Sequence, residues 1–128
     1  MIKTHGLSHI ALSVADPERS LDFYRSAFGV REYYRDDSTI QALGPGEYDV
    51  LAFERRPGGS SAVPGGILHF GFRLIRPEDI DAAVAAVIAA GGTVASRGEF
   101  APGLPYAFVH DPDGHEIELW FERSTFGA

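Results

Sequence analysis

The chain has 128 residues, of which 45% are hydrophobic and 23% charged, proportions typical of one globular domain. The formal net charge is −7 at pH 7, which disfavours nucleic acid as a partner because phosphates bind to basic surfaces. The sequence contains no cysteine, which excludes disulfides, thiolate zinc sites and a cysteine nucleophile. No signal peptide or membrane-spanning run is recognisable, so we expect a cytoplasmic protein with neither membrane nor nucleic-acid partners.

The first half of the chain predicts a strand, a helix and three further strands. Residues 7–14 alternate as in a strand, which puts His9 on the face opposite the larger apolar side chains. Asp16 and Pro17 have the chemistry of a helix start, and Gly29 has that of a helix end. The three strands that follow are predicted at Arg31–Arg35, Thr39–Leu43 and Tyr48–Glu54.

The second half predicts the same plan after a break in composition. A segment rich in glycine, serine and proline at residues 57–66 predicts a linker between module 1 (residues 5–56) and module 2 (residues 67–122). Both modules are expected to belong to one domain that spans residues 1–128. In module 2 we expect a strand at Ile67–Ile75, a helix at Glu78–Ala90, and strands at Thr93–Arg97, Tyr106–His110 and Glu116–Phe121.

The two halves also match residue by residue. A shift of sixty residues superimposes His9 on His69, Pro17 on Pro77 and Glu18 on Glu78. Because each copy of such a repeat is one supersecondary unit, the two histidines are predicted at equivalent points of two similar modules.

Equivalent histidines and an acidic last strand indicate a metal site. Glu116 and Glu118 lie two residues apart and share one face of that strand. A carboxylate among the apolar residues of a strand is costly to bury unless it is paired or bound to a metal. Two imidazoles and one carboxylate form a facial triad that leaves positions open for water or substrate.

Several segments of the sequence resemble one known superfamily: Ser8–Asp16, Ser20–Tyr24 with Phe28 and Gly29, Leu68–Phe72, and the most specific one, Asp111–Leu119. The chain is similar to the vicinal oxygen chelate proteins, which include glyoxalase I, bleomycin resistance proteins, fosfomycin resistance proteins and extradiol dioxygenases. The resemblance implies an α+β fold in which two tandem βαβββ modules form a curved, cup-shaped mixed sheet around a divalent metal. It also implies His9, His69 and Glu118 as metal ligands, and a homodimer in which His9 of one chain completes the site of the other.

Three departures from the family patterns bear on the reaction. Glyoxalase I takes a fourth ligand from the last strand of module 1, where Leu51 or Ala52 stands here and cannot coordinate a metal. Fosfomycin transferases carry a threonine two residues after the first histidine, where this chain has Ala11. Extradiol dioxygenases carry a tyrosine where this chain has Phe108, although Tyr106 lies two residues earlier on the same face.

The resemblance implies a metal-dependent enzyme that acts on a small substrate chelating the metal through vicinal oxygens. A dioxygenase-like reaction is preferred over a lyase or isomerase reaction. The ligand set favours Fe(II) or Mn(II) and leaves Ni, Zn and Co open. Tyr106, as an acid or hydrogen-bond donor, and Arg73, as a cation for a substrate anion, are the candidate catalytic residues. The alternative is a non-catalytic dimer of the bleomycin-resistance type that sequesters an antibiotic or a metabolite.

Overall fold

The computed structural model describes residues 1–46, 48–57 and 66–123. The chain divides into two units, Met1–Val63 and Pro64–Ala128. The predicted linker at residues 57–66 lies almost entirely outside the described residues. Each unit contains one four-stranded sheet and one α-helix, which confirms the α+β class and the repeated βαβββ plan.

The first unit builds a mixed sheet around a parallel pair of strands. Strand β1 lies parallel to β4, and β4, β3 and β2 continue the sheet in antiparallel pairing. The helix packs against β3 and β4. The elements are β1 (His9–Val14), α1 (Pro17–Phe28), β2 (Arg31–Arg35), β3 (Thr39–Leu43) and β4 (Val50–Arg55).

Helix α1 begins and ends where its capping residues predict. The Asp16 side chain accepts a hydrogen bond of 3.0 Å from the backbone N–H of Glu18. At the other end Gly29 has φ = 70°, and its N–H donates to the carbonyl of Arg25 at 3.0 Å. A left-handed conformation of this kind favours glycine, which explains why the helix ends at Phe28.

The core of the first unit lies between α1 and the sheet. Tyr24 is fully buried and stacks on Phe53 of β4, with ring centroids 5.2 Å apart. Leu12 of β1 pairs with Phe53 across the parallel ladder and is buried on the same side. Alternation therefore turns His9 and Ala11 to the opposite side. We call the side of each sheet that faces away from its own helix the open face.

The second unit repeats the arrangement. Its strand order is β5-β8-β7-β6, with β5 parallel to β8 and the other pairs antiparallel, and α2 packs against β6, β7 and β8. Neither helix in the described part of the chain has the length and apolar character needed to cross a bilayer. The elements are β5 (Phe70–Arg73), a 3-10 turn (Pro77–Asp79), α2 (Ile80–Ala89), β6 (Thr93–Glu99), β7 (Pro105–His110) and β8 (Glu116–Trp120).

Three elements of this unit are shorter than predicted, and one of them, β8, ends at Trp120 instead of Phe121. The strand expected at Ile67–Ile75 covers only Phe70–Arg73, because pairing with β8 is confined to those four residues. The helix expected at Glu78–Ala90 is regular only over Ile80–Ala89. Pro77–Asp79 forms a 3-10 turn because Arg76, which precedes it, has no side-chain acceptor to cap an α-helix.

Candidate functional site

Strand β8 places Glu118 on the open face of the second unit. Its neighbours Ile117 and Leu119 are buried towards α2, so alternation turns Glu118 to the other side. In the ladder, Glu118 lies between Gly71 of β5 and Phe108 of β7. His69 stands one residue before β5 begins, on the side of Gly71.

His69 and Glu118 meet on this face. The distance from His69 Nε2 to Glu118 Oε2 is 3.4 Å, and the side chains are 38% and 14% exposed. A metal with bonds of about 2.1 Å to one nitrogen and one oxygen holds these atoms roughly 3.0–3.4 Å apart at angles between about 90° and 109°. The donor types and their separation therefore fit two ligands of one divalent metal. If His69 is protonated, the same geometry is an ion pair.

A second histidine–glutamate pair lies on the same face. His110 of β7 is directly opposite Glu116 of β8, with 3.7 Å between His110 Nε2 and Glu116 Oε1. Both side chains are about one-third exposed, so the carboxylate of Glu116 is more accessible to solvent than that of Glu118. The alternation of the sequence does not separate Glu116 from Glu118, whereas the ladder does, because each acid has a different partner. The sequence signal that could have indicated the contact of His110 with Glu116 is the Asp-Pro-Asp-Gly turn, because a hairpin there places these two residues opposite each other.

The turn that precedes β8 is held by one buried carboxylate. Asp111 Oδ1 accepts hydrogen bonds of 2.9 Å from the backbone N–H groups of both Asp113 and His115. Gly114 completes the turn with φ = 90°, a conformation that favours glycine. This turn fixes where β8 begins and hence which residues of β7 face its glutamates.

Gly71 leaves room for the glutamate and for a neighbouring indole. A Cβ atom at Gly71 would lie 3.0 Å from the Glu118 carbonyl oxygen and 3.4 Å from Trp120 Nε1. Glycine at this position therefore permits the close approach of β5 to β8 beside His69.

In the first unit, His9 also has a polar partner, but no carboxylate of the described residues contacts it. Ser8 Oγ lies 2.8 Å from His9 Nδ1. His9 lines a concavity of about 250 Å³ together with Ser8, Tyr33, Gln41 and Val50, in which the Tyr33 hydroxyl donates to Gln41 Oε1 at 2.8 Å. Sequence reasoning did not find Tyr33 or Gln41, because nothing in their local pattern distinguishes them.

The ladders also identify the residue of the first unit that corresponds to Glu118. Gly71 pairs with Glu118, and Ala11, sixty residues before Gly71, pairs with Ala52. Ala52, rather than Leu51, is therefore the counterpart on the open face, whereas Leu51 is buried on the other side. Across residues 1–46, 48–57 and 66–123, no three His, Cys, Asp or Glu side chains form a group that could hold a metal. The second unit thus provides a pair of candidate ligands, and the first unit provides His9.

Aromatic side chains extend from His69 along the open face of the second unit. The ring centroids of His69 and Phe108 are 5.1 Å apart, those of Phe108 and Tyr106 are 5.6 Å apart, and Tyr106 stacks on Phe100 at 4.5 Å. We call these residues, Phe100, Tyr106 and Phe108, the aromatic row.

The Tyr106 hydroxyl points across the sheet edge rather than along β8. A Cβ atom at Gly98 of β6 would lie 2.7 Å from this oxygen and 2.9 Å from Tyr106 Cζ. The ring therefore covers Gly98, on the side of β7 opposite Glu118. In this orientation Tyr106 contributes its ring to the open face of the second unit.

Arg73 lies at the other end of the same face, opposite Trp120 in the ladder. It borders a concavity of about 390 Å³ with Leu74, Ile75, Phe121 and Glu122. Its side chain is exposed, which leaves the guanidinium accessible to a ligand.

Hydrogen bonds in the hairpin between β2 and β3 displace the pKa values of one aspartate and one tyrosine. The backbone N–H of Ser38, the Tyr34 hydroxyl and the backbone N–H of Thr39 donate to Asp36 and hold its pKa below the ordinary value of 3.8. The hydrogen bond to Asp36 raises the pKa of Tyr34 above 10.0. These groups stabilise a turn and are not among the candidate ligands.

Residues 6–119 match the family model of the glyoxalase/bleomycin resistance protein/dioxygenase superfamily. The chain belongs to this superfamily. A curated member, the lactoylglutathione lyase of Haemophilus influenzae, is 31% identical over 91% of this chain and 93% of its own length. The catechol-2,3-dioxygenase of Bacillus subtilis is 27% identical over 96% of this chain but only 45% of its own length.

A solved structure of the superfamily shows the same fold with a metal. It is a variant of the fosfomycin resistance protein FosX from Listeria monocytogenes in complex with Mn(II) and a dihydroxypropylphosphonic acid. It superimposes with a TM-score of 0.76 at 23% identity, covering 91% of this chain and 90% of its own. Lyases, a dioxygenase and a resistance protein are thus all similar to this chain, so membership of the superfamily leaves the reaction open.

Proposed function

We propose that the protein is a divalent-metal-dependent enzyme acting on a small substrate that chelates the metal through two adjacent oxygens. Its protein ligands would be His9, His69 and Glu118. The observation that carries the proposal is the 3.4 Å contact between His69 Nε2 and Glu118 Oε2. No lysine or arginine in the described ranges forms an ion pair with Glu118, so this largely buried carboxylate has an imidazole as its charged or coordinating partner.

The residues around the pair have separable roles in this proposal. When bound, a divalent metal supplies a Lewis acid for the oxygens of the substrate. Phe108 contacts the His69 ring and restricts water on that side. Arg73, on the same face, would attract an anionic group of the substrate. Tyr106 would contact the substrate through its ring, because its hydroxyl lies over Gly98.

Metal binding by variants of the apoprotein tests the ligands. We expect His69→Ala and Glu118→Gln to weaken Mn²⁺ binding, measured by titration calorimetry, by at least about 100-fold, since loss of a group that only supports a ligand already costs 10–100-fold. His110→Ala and Glu116→Gln are matched controls, because they remove the same chemistry from the neighbouring pair. Equal losses in the Glu116 and Glu118 variants would refute the assignment of Glu118.

The metal in protein purified without chelators separates the reaction classes. Iron would support the dioxygenase-like reaction that the sequence predicts, and a catechol screen would follow. Manganese, nickel, zinc or cobalt would support a lyase or isomerase reaction of the kind named for the Haemophilus relative. We further propose that the active form is a homodimer, with His9 supplied by the other chain.

A sequestering protein is the second candidate, and the aromatic row favours it. Phe100, Tyr106 and Phe108 contact one another in sequence and give the open face of the second unit a continuous aromatic surface. A net charge of −7 would add attraction for a cationic drug. Ligand binding that is unchanged by chelator and by His69→Ala would support this function over the enzyme.

A further inference from the structure

The two equivalent histidines differ in what holds them. His69 has the Glu118 carboxylate within 3.4 Å of its Nε2 atom. His9 contacts no acid among the residues that the structure describes, and the counterpart of Glu118 in its sheet is Ala52. Its polar contact is instead along the strand, from Nδ1 to Ser8 Oγ at 2.8 Å. The second unit has Leu68 where the first has Ser8, so the hydroxyl is specific to the histidine that lacks a carboxylate.

Ser8 is itself held in place by the sheet. Its carbonyl accepts a 3.0 Å hydrogen bond from the N–H of Val50, one residue beyond the start of the β1–β4 ladder. The backbone of Ser8 therefore extends the pairing of β1 with β4 by one residue, and its hydroxyl lies beside the imidazole of His9. With Nδ1 engaged by Ser8, Nε2 is the ring nitrogen of His9 that has no partner among the residues the structure describes.

We propose that Ser8 positions His9 by selecting the tautomer in which Nδ1–H donates to Ser8 Oγ. The lone pair of the neutral ring then lies on Nε2, the same nitrogen that His69 presents to Glu118. A serine oxygen accepts this hydrogen bond without adding charge, so it orients a ring that no described acid contacts. The consequence for metal binding depends on the proposed function, whereas the tautomer itself is a property of the apoprotein.

The tautomer can be read directly from nitrogen chemical shifts. Chelator-treated protein labelled with ¹⁵N-histidine would be examined by two-bond ¹H–¹⁵N correlation at about pH 8, where free histidine is neutral. The His9 signals would be assigned by their loss in His9→Gln. We expect the Nδ1–H tautomer to predominate at His9 in the wild type and in Ser8→Thr. In Ser8→Ala the population should shift towards Nε2–H, the form that free histidine prefers in water.

Metal affinity provides the second readout. We expect Ser8→Ala to weaken Mn²⁺ binding by about 10-fold, the lower end of the range for a partner that orients a ligand, because this contact is exposed. Ser8→Thr keeps a hydroxyl at this position, so its affinity for Mn²⁺ should equal that of the wild type. Ser13→Ala is the matched control, since it removes a hydroxyl from the same strand whose partner is Arg56 rather than a histidine.

The two proposals fail in different ways. A predominant Nε2–H tautomer at His9 in the wild type, or an unchanged tautomer in Ser8→Ala, would overturn the role of Ser8. Equal losses of affinity in Ser8→Ala and Ser13→Ala would overturn it as well, because the effect would then be a general loosening of β1. The Nδ1–H tautomer in a wild type that binds none of Mn²⁺, Fe²⁺, Ni²⁺, Zn²⁺ and Co²⁺ would support the role of Ser8 in orienting the ring and refute the metal-dependent function.

Discussion

Replacement of Gly98 by alanine should move the Tyr106 ring, and this tests the orientation that removes the Tyr106 hydroxyl from the metal pair. The added methyl group would lie 2.7 Å from the hydroxyl oxygen, 2.9 Å from Cζ and 3.0 Å from Cε1. Carbon atoms essentially never approach so closely, so the ring must swing away from β6. In doing so it leaves its stack on Phe100, whose centroid is 4.5 Å away.

The energetic cost can be worked from these contacts. Overpacking costs about 1–3 kcal/mol, and the low end applies because the ring can rotate. Loss of the aromatic stack adds about 0.5–1.5 kcal/mol. The smaller conformational entropy of an unfolded alanine offsets about 0.4–1 kcal/mol. The expected net destabilisation of Gly98→Ala is therefore about 0.5–2 kcal/mol, a shift of roughly 0.25–1 M in the urea midpoint for a slope of about 2 kcal/mol/M.

A double-mutant cycle measured by urea unfolding isolates the contact. In a Tyr106→Leu background, Gly98→Ala should be neutral or stabilising, giving a coupling energy of about 1–2 kcal/mol. Tyr106→Phe should relieve only part of the cost, because Cζ and Cε1 keep their contacts. Gly66→Ala is the control, since a Cβ there meets nothing within 4 Å. A coupling energy near zero would refute the position of the ring over Gly98, and the Tyr106 hydroxyl would again be a candidate acid.

Three further outcomes are expected. Mixing His9→Ala with Glu118→Ala chains should regenerate some metal-binding sites after subunit exchange if dimers share ligands, and calorimetry that finds no recovery would place each site within one chain. Asp36→Asn should reduce the loss of stability below about pH 4. The backbone N–H of Ser38 lowers the pKa of Asp36 in the folded protein, so the ionised carboxylate stabilises the wild type above the pKa of the unfolded state. This stabilisation is lost as the pH falls through the pKa of the folded state. An unchanged pH profile of urea unfolding would contradict this. Asp111→Ala should cost about 1–3 kcal/mol in the same assay, because two backbone N–H groups lose their acceptor, and a cost below that of Asp111→Asn would contradict the turn geometry.

The elements that the sequence predicts best are those whose ends are defined by local chemistry. Strands β2 and β3 have the predicted bounds, because an aspartate turn separates them. Helix α1 matches because Asp16 and Gly29 act within one turn of its ends. Strand β5 was predicted too long because Ile67, Leu68 and Ile75 continue the apolar pattern although they lack a partner strand and are largely exposed. The alternation of apolar and polar residues predicts which face of a strand is buried, whereas pairing with a neighbouring strand determines where the strand ends.

The same distinction separates the predicted from the unpredicted features of the site. Alternation correctly turns Glu116 and Glu118 to one face, and the repeat correctly relates His9 to His69 in the two units. The partners of the glutamates depend on the β7–β8 ladder, which a single sequence does not specify. The direction of the Tyr106 hydroxyl depends on a glycine one strand away, and no local pattern reports such a contact.

The asymmetry between the units bears on how many metals one chain can hold. Among the described residues, a carboxylate in contact with an imidazole occurs in the second unit, because Ala52 replaces the acid in the first and is 3% exposed. A single imidazole binds a divalent metal far more weakly than a set of three ligands that includes an anion, so His9 alone cannot form a second metal site. We therefore expect one Mn²⁺ per chain at saturation, and none in Glu118→Gln. Two ions per chain would mean that the first unit recruits other oxygen donors, of which Tyr33 and Gln41, in the concavity beside His9, are the nearest candidates.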